Sequence, residues 1–184
     1  MWEYNYTDEL CHYGVKGMKW GVRRAQKRTA KVERKYARVG RKLGSAEYYR
    51  NKGDEAKKRH EHNAVILDKE AKKAESREQY FKAEALRKSA AALRSRGENV
   101  KANQESIAAM YERRATKINE KVEKYATKKR VDLGKKRINE LLNESKKKGY
   151  EATRRNDEAR TEWELQERLG ERGYNAYNYA RGKN

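Results

Sequence analysis

The chain is 184 residues long, and Leu, Ile, Val and Phe together number 23, under the one-fifth share below which a highly charged chain builds no conventional core. Lys and Arg total 48 against 28 Asp and Glu, a formal charge of +20, and Pro is absent. That mixture belongs to long helices and coiled coils, and it excludes a compact domain folded around a deep cleft. The charge attracts nucleic acid, acidic protein or anionic surface without choosing among them. Cys11 is alone, which rules out an internal disulfide framework and suits a reducing cytoplasm. The opening MWEYNYTDEL lacks the basic start and apolar run of a secretory leader, and no 18-residue apolar stretch follows. The expectation is a protein soluble at synthesis, with no membrane partner.

The fold class expected is all-α, with elongated helices forming a long helical hairpin or coiled coil, a non-helical N-terminal motif and a flexible C-terminal tail. Five segments follow: an aromatic, glycine-bearing docking segment (1–22), a basic amphipathic helix (23–43), a long helical or coiled-coil body (45–148), a short helix (150–170) and a flexible tail (171–184). In the basic segment, Ala25, Thr29, Val32, Tyr36, Val39 and Leu43 recur every three or four residues, one stripe of a helix. Gly44-Ser45 reads as its stop and the next N-cap. The body carries two stripes in heptad rhythm. Ala64, Leu67, Ala71 and Ala74 lead to Phe81, Ala85 and Ala92, and Tyr111, Ala115, Ile118, Val122 and Tyr125 form the other. Arg96-Gly97-Glu98-Asn99 between them predicts a chain reversal joining two helices of roughly 50 residues, each about 75 Å long if unbroken, and Gly53 and Gly134 allow interruptions within them. The rival is one continuous rod paired with another molecule, because narrow alanine stripes bury little area per turn. Ala152, Ala159, Trp163 and Leu169 suggest the short helix, and GYNAYNYARGKN has no usable period.

The docking segment differs from everything after it. Gly14, Gly17 and Gly21 permit positive φ and close backbone approach, while Val15, Met18, Trp20 and Val22 offer an apolar surface too small to fold alone. Trp and Arg are frequent binding anchors, so Trp20, Arg23 and Arg24 lead as contacts. The run from His12 through Gly14, Val15, Gly17, Met18, Trp20 and Gly21 to Arg23-Arg24 resembles a short N-terminal motif, H-[HY]-G-V-K-G-M-K-W-G-V-R-R. That motif occurs in proteins of tailed bacteriophages and prophages of Gram-positive hosts, often among head and virion structural genes. The resemblance covers about thirteen residues and implies a virion-associated or head-assembly protein that binds phage head or other virion proteins, located in the virion and, during assembly, in the host cytoplasm. It implies no catalytic mechanism. Ala25-Gln26-Lys27-Arg28 then departs from the pattern and leads straight into the basic helix. The plainer alternative is that the segment caps the helical body, with Met18 and Trp20 packed on Val32 or Tyr36.

Residues 16–42 hold 12 Lys or Arg and one acid, Glu33. Lys27, Arg28, Lys31, Arg34, Lys35, Arg38, Arg41 and Lys42 form an alternative nucleic-acid-binding helix that would track a phosphate backbone. Its plain counterpart is the solvated face of a coiled coil. Residues 128–148, with nine Lys or Arg against three acids, read as a solvated helix with Ile138, Leu141 and Leu142 turned inward. Tyr174, Tyr177 and Tyr179 could stack on single-stranded bases. Catalysis has little to stand on, since adjacent Cys11 and His12 cannot readily orient one another. Cys11, His12, His60 and His62 match no zinc spacing. The expectation is a non-enzymatic protein without cofactor or metal, acting by recognition and able to form a homo-oligomer through its helices.

Overall fold

The computed structural model describes residues 20–180, and every regular element among them is helical: α1 (Trp20–Glu75), α2 (Tyr80–Lys129) and α3 (Lys135–Ala180). The molecule is all-α. Such long helices follow from a sequence rich in Ala, Glu, Lys, Arg and Leu without proline, where almost every residue favours or tolerates the helix.

α1 and α2 run antiparallel, as their cross-pairs show. Lys101 meets Asp54 at 2.9 Å, Lys57 meets Glu98 at 2.6 Å, and Arg87 meets Glu75 at 2.7 Å. The seam repeats every seven residues, from Val32 through Val39, Ala46 and Gly53 to Ala74 on α1, and from Ala83 through Ala90 and Gly97 to Tyr111 and Tyr125 on α2. From Gly53 to Ala108 the buried residues are all Ala or Gly, so the axes approach closely but each turn buries little apolar area. Charged residues flank it. Arg94 bridges Glu61 at 3.1 Å and Asp68 at 2.6 Å. Exposed pairs of this kind add little stability in water, and here they also fix the register. Larger side chains gather where three helices meet, with Val32, Tyr36 and Val122 buried among Ile118, Ile138 and Leu142.

α3 packs on α1 at a crossing of small residues. Gly44 faces the Lys146 carbonyl so closely that a Cβ there would lie 2.0 Å from its oxygen. A Cβ on Gly149 would lie 2.3 Å from the Arg41 oxygen. Ser45 and Thr153 share a 2.7 Å hydroxyl hydrogen bond beside this contact. Further along, Tyr48 donates to Asp157 at 2.7 Å, and Lys52 also pairs with that carboxylate. Past Asp157 every residue from 158 to 164 is exposed. That span is about two helical turns, a full circumference, so no other element among the described residues covers it.

Both reversals use the same device. Glu78 (φ 60°) and Arg130 (φ 51°) adopt the left-handed conformation. Around the first, Gln79 N donates to Ala74 O at 2.9 Å and Glu78 N to Glu75 O at 2.9 Å. Around the second, Val131 N donates to Ala126 O at 3.0 Å and Arg130 N to Thr127 O at 3.1 Å. These are Schellman closures, which satisfy the last helical carbonyls.

Several expected boundaries fall elsewhere. Gly44-Ser45 does not stop a helix, because α1 continues through it and the glycine serves the crossing with α3. Arg96-Gly97-Glu98-Asn99 is not a reversal, because it lies inside α2 and the chain turns at 76–79. Gly97 is buried, and a Cβ there would lie 3.0 Å from that of His60. The 45–148 body is interrupted at 130–134, and the limit near 148–150 falls inside α3. The tail placed at 171–184 is helical as far as Ala180, after a break at Gly170 (φ 67°, ψ 171°); residues 181–184 lie outside the described residues.

Candidate functional site

His12, Gly14, Val15, Gly17 and Met18, with Cys11, lie outside the described residues, so the expected docking loop is described only where it joins α1. Trp20, Gly21, Arg23 and Arg24 form the start of that helix. The non-helical expectation is therefore corrected at this end of the motif. Gly21 lies inside a helix, and a Cβ added to it would meet nothing within 4 Å among the described residues. Val22 and Arg24 are exposed, whereas Nη2 of Arg23 is buried with no hydrogen-bond partner among the described residues.

The basic helix is fully described. Its cations fall into three rows with seven-residue spacing: Arg24, Lys31 and Arg38; Lys27, Arg34 and Arg41; Arg28, Lys35 and Lys42. Seven residues is nearly two helical turns, so each row runs along the helix and the three together make one face. Lys27, Arg28, Lys31, Arg34, Arg38 and Arg41 are exposed, and Lys35 and Lys42 are half-buried. A shallow depression of about 540 Å³ is lined by Lys27, Ala30, Lys31, Arg34, Lys35 and Arg38. None of the eight cations from Lys27 to Lys42 has a carboxylate partner among the described residues. Glu33, the acid in their midst, turns to α3 and pairs with Arg137 at 3.2 Å.

Three of these lysines are anchored by aromatic rings that sequence reasoning did not connect to them. Lys31 and Lys35 sit 4.9 and 4.5 Å from the centroid of the Tyr125 ring, and Lys42 sits 5.2 Å from that of Tyr111. A ring face attracts a cation without neutralising it, so the charge is positioned and retained. Tyr111 in turn stacks on Tyr49, with centroids 5.7 Å apart and planes 15° apart. The signal lay in the heptad stripe itself, where the body tyrosines take seam positions opposite the lysine rows.

The remaining chemistry is structural. Burial and then the hydrogen bond to Asp157 push the Tyr48 hydroxyl pKa up. Burial alone would raise the Asp157 carboxyl, but hydrogen bonds from Lys52 and Tyr48 and the Lys52 charge overcome it and hold it below its ordinary value. An open cleft of about 430 Å³ at the three-helix junction is lined by Val32, Tyr36, Val131, Leu133 and Ile138. Its Asp132 accepts a hydrogen bond from Gly134 N. His60 and His62 both lie on α1, and among the described residues no three His, Cys, Asp or Glu gather where they could hold a metal ion. No helix among them is long and apolar enough to cross a membrane. Tyr174, Tyr177 and Tyr179 lie on the last part of α3, and Tyr179 is well exposed.

The described residues thus define an all-α protein of long packed helices whose first helix opens on a short motif and carries a cationic face. Residues 4–27 match a family of unknown function, DUF7211. No curated protein and no solved structure matches the chain.

Proposed function

We propose that the chain is a virion-associated structural or head-assembly protein of a bacteriophage or prophage, acting by protein–protein recognition through its N-terminal motif and not by catalysis. The observation that carries this reading is the run from His12 to Arg24, with its resemblance to a motif of phage head-associated proteins. The match over residues 4–27 covers the same run and ends within the first helix, which supports treating it as a module separate from the body. In this reading α1 and α2 act as a long helical hairpin that holds the motif at one end. Trp20 and Met18 are the apolar anchors, and Arg23 and Arg24 meet acidic groups on phage head proteins. The protein resides in the virion and, during assembly, in the host cytoplasm.

Trp20→Ala and deletion of residues 1–24 should each abolish incorporation into particles while the helical content of the body persists. Unchanged incorporation of either variant overturns the reading. Gly21→Ala sharpens the test, because a Cβ at that position meets no described atom within 4 Å and helix propensity there gains up to about 1 kcal/mol. Lost incorporation from a stably folded Gly21→Ala variant assigns the residue to recognition.

A second reading, a nucleic-acid-binding accessory protein, is favoured by the eight α1 cations from Lys27 to Lys42, six of which are exposed and none of which has a carboxylate partner among the described residues. It expects duplex binding that weakens steeply with salt and survives removal of residues 1–19. Negligible duplex binding at low salt overturns it.

A further inference from the structure

We propose that the phosphate backbone of double-stranded nucleic acid binds a single face built jointly by α1 and α2, in which cations of α2 between residues 114 and 128 contribute as directly as those of α1. This rests on the nucleic-acid reading and deepens it by extending the site to a second helix. The two helices are tied together at Tyr111. Its ring lies beneath Lys42 of α1 at 5.2 Å and beneath Arg114 of α2 at 5.9 Å. Arg114 and Lys42 therefore stand on the same side of the helix pair.

Periodicity carries that side along α2. Arg114, Lys121 and Lys128 are seven residues apart, Lys117 and Lys124 repeat beside them, and all five are exposed. None has a carboxylate partner among the described residues, and Glu120 borders the face at its outer edge. The two other acids of this stretch turn elsewhere: Glu112 pairs with Arg50 at 2.6 Å, and Glu123 accepts a hydrogen bond from Asn119 and lies near Tyr36. α3 covers the opposite flank, where Glu33, Gly40 and Glu47 meet Arg137, Ser145 and Lys146. No described element covers the cationic flank.

Folding alone does not account for this arrangement. Toward the 76–79 turn, the same helix pair flanks its seam with opposite charges, as at Arg94 with Glu61 and Asp68. At the other end it sets Lys35 and Lys42 opposite a row of Arg and Lys, where like charges repel. A polyanion relieves that repulsion. The α1 rows span about 27 Å from residue 24 to residue 42, roughly eight base-pair steps of a duplex. A bilayer is disfavoured, because Met110 is the large exposed hydrophobic residue on this side of α2. Base stacking is disfavoured too, since the Tyr111 and Tyr125 rings already face Tyr49 and lysines.

The test is fluorescence anisotropy of a labelled 20-base-pair duplex with the full chain, titrated across KCl concentrations. The combined variant Arg114→Gln, Lys121→Gln, Lys128→Gln should lose at least about tenfold in affinity and flatten the log–log salt slope by about 2.7, or roughly 0.9 per phosphate contact removed. Circular dichroism should show unchanged helicity. A control of equal charge on α3, Lys135→Gln, Lys136→Gln, Lys147→Gln, should bind nearly as the parent does. Wild-type affinity and slope in the α2 variant, with loss in Arg28→Gln, Lys35→Gln, Lys42→Gln, overturns the two-helix face and leaves the α1 reading standing. Equal loss in the α3 control overturns the face in favour of net charge. A parent protein that binds phosphatidylserine vesicles or an acidic protein but no duplex overturns both readings.

Discussion

Gly149 and Arg41 stand closer than two ordinary helical residues can, since a Cβ on Gly149 would fall 2.3 Å from the Arg41 carbonyl oxygen. Here α3 meets α1 backbone to backbone, and no flexible side chain can yield. Gly149→Ala or Gly44→Ala should therefore cost about 3 kcal/mol or more, at the upper end of overpacking effects. Hydrogen exchange should then show lost protection over 138–157, with protection kept over 83–122, where α1 packs on α2.

Asp157 makes the same crossing sensitive to acid. Its carboxyl is held below the ordinary value by Lys52 and Tyr48 against the opposing effect of burial. Its contribution to stability is thus complete above about pH 4 and is lost as pH falls through the lowered folded value. Asp157→Asn should cost about 1–2 kcal/mol at pH 7. Urea midpoints measured between pH 7 and pH 3 should fall less steeply in the variant than in the parent.

The two Schellman closures place side chains in a conformation that glycine adopts more easily. Glu78→Gly and Arg130→Gly should each stabilise the fold by about 0.5–1 kcal/mol, the left-handed strain relieved less the entropy cost of glycine. Thermal melts of the single and double variants check this, and the effects should add because the turns are remote from each other.

Gln104 sits in the seam with its Oε1 buried and without a hydrogen-bond partner among the described residues. Gln104→Met keeps the length of the side chain and removes the unpaired oxygen, so it should stabilise by about 1 kcal/mol in urea unfolding. Unchanged or lower stability would show that the oxygen is satisfied in solution.

The helical stripes were legible because Val32, Tyr36 and Val39, like Tyr111, Ala115 and Val122, keep a three-and-four spacing that only one backbone geometry places on one side. The first reversal was not, and the second was marked only by Gly134, which takes a positive φ where α2 gives way to α3. A glycine that admits a neighbouring backbone is the same letter as one that turns the chain, so Gly44 and Gly97 read as breaks although they mark contacts. Glu78 and Arg130, which do turn the chain, carry no residue signal for a left-handed conformation. The cations of α1 stood out because almost no acid interrupts them. Those of α2 were hidden, since Glu112, Glu120 and Glu123 alternate with them in sequence and separate from their rows only once the helix forms. Tyr174 to Tyr179 lacked a period because no stripe is required where little packs.

The departure of α3 after Asp157 has a mechanical consequence. The bare stretch from 158 to 164 is a lever about 10 Å long, and the glycine crossing is its fulcrum. A pull on the carboxyl end is delivered to that pivot before it reaches the long pair behind it, so strain would detach the third helix first and spare the other two.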